Sequence, residues 1–508
     1  MDSGTYPPTL SSETIGSEVV QWRGHRLGSQ WARTIGKGET KTSLNPSNAR
    51  ELVKFTISQE TVQTALSLAQ TCFHQVPFLS VQEKSKLLKA FSDAFQKKKK
   101  EIVIASRVEG GKHAWEAELE VEKSAAYLRE VSARADDIYE TLLSPAHLGQ
   151  NRQAYSLEST GPVAAYLSFS SPVSSFVSYL SAAILSGNPI IFFASAQSAQ
   201  TSLLLAALEE ECSAPLGYFG LLFSGFDVFK QALKDPRLSS ALYAGSKENG
   251  DALRKQSRPS LQLILEYGGK NPILVHSSAQ IEDAVQETLL GLCQSAGQLC
   301  SSTSRAFVYR SLLNDYKSAL AEAVSQMFIG PADEQNSPSS SKPVSMGPLY
   351  SRKSLEKFLR FQTMARREAQ QTISWGKVYE GAPYDGHYVV PGIHLIERLD
   401  PLSPYQRNVL FSPDLAIYPY DKLEEAFAGI HTAETLHSLS FIGDPSVILE
   451  RRHQIKVPHI IVNASTIESG IPFLAARSMY SHHLYNAAAL ALHLSFPQLV
   501  AVPKTGIA

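Results

Sequence analysis

The sequence predicts an α/β fold of two parallel-sheet units, and three observations carry that prediction. After Gly161, short apolar runs alternate with amphipathic helical stretches, the order that builds a parallel sheet covered on both faces. The alternation pauses and restarts at NPILVH, which begins at Asn271. At roughly 100 to 200 residues per domain, the 508 residues leave room for both units and a sizeable core.

Taken in order, the opening MDSGTYPPTLSSETIGSE has neither an apolar nor a basic region, so residues 1–16 read as a disordered lead rather than a signal peptide. From Ser58 to Ala135, runs such as TVQTALSLAQTCF place apolar residues three and four apart, which predicts an antiparallel helical layer. The lysine run Lys97 to Lys100 reads as the solvated end of a helix, where cations complement the dipole. The most apolar stretch, Gly161 to Phe193, carries Pro162, Pro172 and Pro189 and many serines. It reads as turns and strands around one helix, not as a membrane span of about 20 residues. PVAAYLSF, NPIIFFAS, FGLLFSG and SALYAG are strands, with TSLLLAALEEE and VFKQALK as intervening helices. The second unit takes NPILVH, SRAFVYR, LAIYPY and HIIVNAS as strands, with Pro331 to Pro343 as a surface loop. The tail from Tyr485 to Val502 is apolar; its LALHLSF alternates like a strand that docks on its own domain or on a partner.

Composition narrows the function classes. Lys+Arg 47 against Asp+Glu 48 gives a net charge of -1, so no basic excess favours nucleic acid or an anionic membrane. Cys72, Cys212, Cys293 and Cys300 contain no CxxC pair and are too sparse for a disulfide framework or a zinc site, which suits a reducing, cytoplasmic setting. His482 and His483 have no thiol or carboxylate at ligand spacing, so no metal site is expected.

Two segments carry chemistry. LEYGGKNP places Glu266 at the end of an apolar strand, before the tight turn that Gly268 and Gly269 permit. SAGQLCSSTSR places Cys300 after a Gly-Gln turn, and a helix start following it would favour the thiolate. Cys293, seven residues earlier, reads as core.

The pair closely resembles the aldehyde dehydrogenase superfamily, whose general-base glutamate lies in E-[LM]-G-G-[KN]-[NS]-P and whose nucleophile lies in G-Q-x-C. Here 34 residues separate Glu266 from Cys300, the family spacing. NPSN at Asn45 to Asn48, GPVAAY at Gly161 to Tyr166, YAGSKENG at Tyr243 to Gly250, FSP at Phe411 to Pro413 and IIVN at Ile460 to Asn463 extend the resemblance over nearly the whole chain. Trp22 and Trp31 resemble packing residues of the family's opening hairpin. GPVAAY and VVPGI (Val389 to Ile393) look somewhat like the succinylglutamate semialdehyde dehydrogenases.

The resemblance implies a Rossmann-type cofactor domain from residues 17–143 and 161–265 and a catalytic domain from 266–460. It also implies a β bridging or oligomerisation element from 144–160 and 481–502 that pairs between subunits of a homodimer or homotetramer. By carry-over, Cys300 adds to the aldehyde carbonyl and supplies a backbone N–H to the oxyanion, and Glu266 activates the hydrolytic water. Gly245, Ser246 and Gly250 hold the phosphates of NAD or NADP, and Phe411 packs on the nicotinamide ribose.

Departures concentrate at that cofactor. The family's oxyanion asparagine corresponds to Ser170, and its ribose-binding lysine and glutamate to Phe193 and Ala196. The threonine of F-T-G-S is Ala244, the E-[IV]-F-G-P glutamate is Val409, and P-F-G-G reads PFLA at Pro472 to Ala475. Losing one oxyanion donor costs about 2.7 to 4 kcal/mol, and polar ribose contacts are worth about 1.5 to 3 kcal/mol each, so dinucleotide binding is expected to be weak. Phe193 is bulky enough to fill the ribose site. Three readings stand: an NAD(P)-linked aldehyde dehydrogenase, a pseudoenzyme kept for assembly or regulation, or a thiol esterase that needs no dinucleotide.

Overall fold

VAAYL, IIFFA and FGLLF are buried at every position, as strands covered on both faces must be. The protein was analysed as a computed structural model that describes residues 22–75, 79–135, 152–331, 345–381, 385–466, 491 and 493–502. The first sheet runs in the order Gln262–Tyr267, Ser240–Gly245, Val163–Leu167, Ile190–Ala194, Phe219–Phe223, His25–Leu27 and Gln30–Ala32. Its first five strands are parallel, and the last two form an antiparallel hairpin on the edge. Arg26 in that hairpin donates to Glu209 in a buried pair, and Trp31 stacks under Arg23 and donates to Glu210, so Trp31 packs as expected.

The second sheet runs Gln371–Ser374, Gly392–Leu395, Asp414–Tyr420, Thr303–Tyr309, Asn271–Val275, Ser438–Ile442 and His459–Val462. All are parallel except the edge strand Gln371–Ser374. Glu266 and Tyr267 belong to the first sheet, so that sheet reaches just past residue 265, and its last strand runs directly into the second sheet through Gly268–Lys270.

The helical layer consists of Gln59–Gln75, Val81–Gly110 and Ala114–Ala133. Ser80 and Glu83 form a capping box at the start of the long helix, and Gly111 ends it in the left-handed conformation (φ 62°). Three carboxylates of this layer dock it by accepting backbone N–H groups that no helix or strand partner satisfies. Glu109 takes Gln200 and Thr201 (2.9 Å each), Glu120 takes Val173 and Ser174 (3.1 and 3.3 Å), and Glu116 takes Ser295 (2.5 Å). Each such charge-assisted bond contributes about 1.5 to 3 kcal/mol. Burial of Glu109 and Glu116 pushes their carboxyls up against that gain.

Two expectations are corrected here. Lys97 to Lys100 lie in the middle of Val81–Gly110, not at its end; Lys97 pairs with Glu211 and Lys99 with Glu122, so neighbouring elements supply the counter-charges. The terminal strand is Ser495–Val502, not LALHLSF: Thr160 and Asn188 donate to the Leu494 carbonyl (2.9 and 2.6 Å), holding the chain where the strand begins. That strand pairs antiparallel with Arg152–Ser159, so the two bridging segments pair within one chain. Residues 1–16, His482, His483, Pro472 to Ala475 and nearly all of the Pro331 to Pro343 loop lie outside the described residues. Among the described residues, no helix is long and apolar enough to cross a membrane.

Candidate active site

The turn between the two sheets builds the site. Glu266 is the last residue but one of its strand, at the carboxyl end of the first sheet, where open α/β sheets bind ligands. Gly268 and Gly269 carry the chain across. A Cβ on Gly268 would stand 2.5 Å from Phe411 Cζ, and one on Gly269 would stand 2.4 Å from His437 N, so both positions need glycine for close approach. Gly269 N–H then donates to the Cys300 carbonyl (3.1 Å), drawing the Cys300 turn onto the glycine turn.

Asn271 completes this clasp from the first position of its strand. Its Nδ2 donates to the carbonyls of Cys300 (2.8 Å) and Ser302 (3.1 Å), while its Oδ1 accepts from the N–H of His437 (2.8 Å) and Ser438 (3.1 Å). Ahead of Cys300, Ser295, Ala296 and Gly297 stand in succession at φ 49°, 52° and 70°. Left-handed Ser and Ala cost of order 1 to 3 kcal/mol each and persist only where the surroundings enforce them. Glu116 grips the Ser295 N–H, and Gln298 donates to the Ser295 carbonyl (2.8 Å) while accepting from Tyr350 N–H (3.0 Å).

Glu266, Cys300 and His437 thereby converge, each offering an oxygen, sulfur or nitrogen atom within 4.8 Å of the others. Burial lifts the Glu266 carboxyl from 4.5 to about 8, and its Oε1 has no hydrogen-bond partner. Such a carboxyl titrates close to neutral pH, where a general base works best. The helix start expected after Cys300 is absent. TSRAFVY, rich in β-branched and aromatic residues, forms the strand Thr303–Tyr309 instead. Without a helix dipole, burial and the neighbouring Glu266 charge push the Cys300 thiol well up, with its own and the Ser301 backbone N–H opposing them. Cys293 is fully buried in the second unit's core and its thiol is likewise pushed up by burial, in keeping with a packing role.

The Ser170 hydroxyl meets that of Ser168 (3.4 Å) on the loop before helix Pro172–Ser186. Tyr179 of that helix interacts electrostatically with both Glu266 and Cys300. Tyr179 and His437 are the two groups at the site that sequence reasoning missed. Neither lies in a recognisable motif: Tyr179 is one aromatic in an apolar helix, and His437 precedes a buried strand across the second sheet.

The edge where a dinucleotide would lie looks different. Ser246 starts helix Lys247–Gln256 and accepts from Asn249 N–H (3.3 Å), so a helix N-terminus faces the carboxyl end of strand Ser240–Gly245, as phosphates require. Tyr243 closes over that turn: its hydroxyl donates to the Ser246 carbonyl (3.4 Å) and stands 2.3 Å from where a Gly245 Cβ would be. A Gly250 Cβ would meet the Tyr267 ring at 2.2 Å, so this glycine lets the helix pack on the strand. Phe193 does not project into an open ribose site. It is fully buried against Phe229 (ring centroids 5.4 Å), in a core cluster with Tyr166 and Tyr243. The Tyr166 hydroxyl reaches Ser195 of the FASA segment. Phe411, at φ 52°, turns its ring onto Gly268 beside Cys300. The residues therefore fit the phosphates and nicotinamide side of a dinucleotide, but Phe193, Ala196 and Val409 offer its ribose hydroxyls no polar side chain.

Comparison with known proteins agrees with this geometry. The chain is 25% identical over 447 residues to the D-glyceraldehyde dehydrogenase (NADP(+)) of Picrophilus torridus, covering 86% of this chain and 87% of that one. It is 24% identical over 479 residues to the α-ketoglutaric semialdehyde dehydrogenase of Bacillus subtilis, covering 90% and 93%. The fold matches an aldehyde dehydrogenase of Mycobacterium tuberculosis complexed with NAD+ at a TM-score of 0.86, with 18% identity and coverage of 97% and 100%. The profile of the aldehyde dehydrogenase family matches residues 32–474, and the chain belongs to that family, whose members oxidise aldehydes to acids with NAD(P).

Proposed function

We propose that Cys300 is the nucleophile of this aldehyde dehydrogenase and that Glu266 activates the water that releases the acid. The observation that carries this reading is the convergence of the two groups within 4.8 Å across the junction of the sheets. Sγ adds to the aldehyde carbonyl, and the Cys300 backbone N–H faces the developing oxyanion. Glu266, with its carboxyl near pH 8 and Oε1 unpartnered, takes a proton from water for attack on the thioester. A bound dinucleotide would supply the hydride acceptor.

Gly245 and Ser246 at the helix start would hold its phosphates and Phe411 its nicotinamide ribose, with the first sheet's unit as the cofactor half and the second as the catalytic half. The apolar residues at 193, 196 and 409 support weak dinucleotide binding, with dissociation constants of roughly millimolar. The names of the relatives support a small hydroxyaldehyde or semialdehyde as substrate. Four unpaired cysteines support a cytoplasmic setting. The two-stranded ribbon of Arg152–Ser159 and Ser495–Val502 supports assembly into a homodimer or homotetramer, because it leaves strand edges to be covered.

The test is an assay of the purified chain against a panel of hydroxyaldehydes and semialdehydes with NAD and NADP at up to millimolar concentration. Oxidation that Cys300→Ala abolishes supports the assignment; oxidation undiminished in that variant refutes it.

A further inference from the structure

His437 stands beside the reacting thiol without a role in the reading above. Its side chain is fully buried, and Nε2 lies 3.8 Å from Glu266 Oε1. A ring nitrogen, a Glu266 carboxylate oxygen and Cys300 Sγ all lie within 4.8 Å of one another. The arrangement is not incidental to packing. Asn271 binds the backbone of His437 through Oδ1 and that of Cys300 through Nδ2, so one amide sets the imidazole and the thiol in register. Gly269, with no room for a Cβ beside His437 N, brings the same two segments together from the other side.

We propose that His437 is the proton acceptor of the Cys300 thiol, a catalytic residue that makes the site a Cys–His–Glu arrangement. The proposal rests on Cys300 being the nucleophile. In the addition step the S–H proton passes to an imidazole nitrogen, the sulfur pair forms the bond to the carbonyl carbon, and the carbonyl π pair moves onto oxygen. The product is a hemithioacetal oxyanion beside an imidazolium, so charge and protons balance.

The chemistry of the surroundings makes such an acceptor necessary. A strand, not a helix start, follows Cys300, and burial together with Glu266 pushes its thiol up, toward the protonated form. An imidazole is the side chain whose ordinary titration range brackets neutrality. Among the described residues, the ionisable groups facing His437 include Glu266 from the first sheet, Cys300 from its turn and His459, whose ring centroid is 5.6 Å away on the neighbouring strand. Tyr179 faces Glu266 and Cys300 from its helix. Lys270, although adjacent in the turn, directs its ammonium to Asp414 at 3.9 Å. Where it is ionised, as pH rises through about 8, Glu266 beside the ring stabilises the imidazolium.

The experiment is alkylation of Cys300 by iodoacetamide between pH 6 and 10, read by mass spectrometry on the chelator-treated full chain. In the wild-type protein, alkylation is expected to rise through the imidazole range, a profile that needs no variant to fold. His437→Gln should slow alkylation at pH 7 by roughly 10²-fold and leave one rise above pH 9, while His459→Gln keeps the wild-type profile. Equal rates in wild type and His437→Gln at pH 7, or a wild-type profile with a single rise above pH 9, would overturn the proposal. Aldehyde oxidation by Cys300→Ala reports on the nucleophile separately, so failure of the His437 assignment alone is distinguished from failure of the Cys300 assignment on which it rests.

Discussion

The thiol site and the dinucleotide edge lie side by side at the carboxyl end of one parallel strand pair, where Glu266 stands opposite Ala244 and Tyr267 opposite Gly245, and are built on opposite terms. Around Cys300, polar side chains are spent on positioning: Asn271, Gln298 and Glu116 each hold a backbone group of the turns that carry the chemistry. Around Gly245, space is taken by rings, with Tyr243 over the turn, Tyr267 under Gly250 and Phe193 and Tyr166 in the core beneath. The difference teaches that one fold can hold the turns around a thiol with polar side chains while it fills the neighbouring strand ends with rings. It also favours the dehydrogenase reading over that of an inactive scaffold, since the buried Glu266 oxygen without a hydrogen-bond partner is a costly feature that packing does not call for.

The comparison breaks most sharply at Cys300. Cys300→Ala should lower the rate of aldehyde oxidation by about 10⁴-fold or more, measured as initial rates at saturating aldehyde. Next, Glu266→Gln should cost about 10² to 10⁴-fold in acid release, seen as a covalent thioester that accumulates and is detected by intact mass. The wild-type rate should climb as pH rises through about 8, where the Glu266 carboxyl ionises, and the variant should lose that rise.

The same residue links pH to stability. Its folded carboxyl titrates at about 8 rather than 4.5, so the folded form holds the proton more tightly. Its contribution is complete below pH 4.5 and is lost as pH rises through about 8. Melting temperatures of Glu266→Gln should therefore fall less across that window than those of the wild type.

Asn271→Ala removes four hydrogen bonds at the clasp and should cost about 3 kcal/mol in denaturant unfolding, with kcat falling more than KM rises. The smallest effect is expected at the other edge. Val409→Glu restores one polar contact to the nicotinamide ribose and should tighten dinucleotide binding by about tenfold, read by calorimetric titration.

Much of this was legible in the sequence. The alternating apolar runs identify both sheets because their central strands are buried on both faces, and the 34-residue spacing of Glu266 and Cys300 identifies the family. The short strands Gln371–Ser374 and Gly392–Leu395 were not visible, having too few residues for a periodic signal. Nor was the end of the lysine-bearing helix, which is set by Gly111 and by counter-charges from distant segments. His437 was hidden for a stronger reason. It lies 137 residues from Cys300 in the chain, and only the strand order of the second sheet, which sets Asn271–Val275 between Thr303–Tyr309 and Ser438–Ile442, brings the pair together. Phe193 was placed at the correct strand end, but sequence does not tell which face of a doubly covered strand a ring occupies.

The contrast between the two regions is tested most directly by one rate curve: aldehyde-dependent reduction of NAD and of NADP as a function of dinucleotide concentration. A supported thiol and a stripped ribose site predict saturable oxidation that depends on Cys300, with half-saturation at roughly millimolar dinucleotide. Half-saturation in the micromolar range would contradict the weak grip, and no oxidation at any concentration would contradict the dehydrogenase itself.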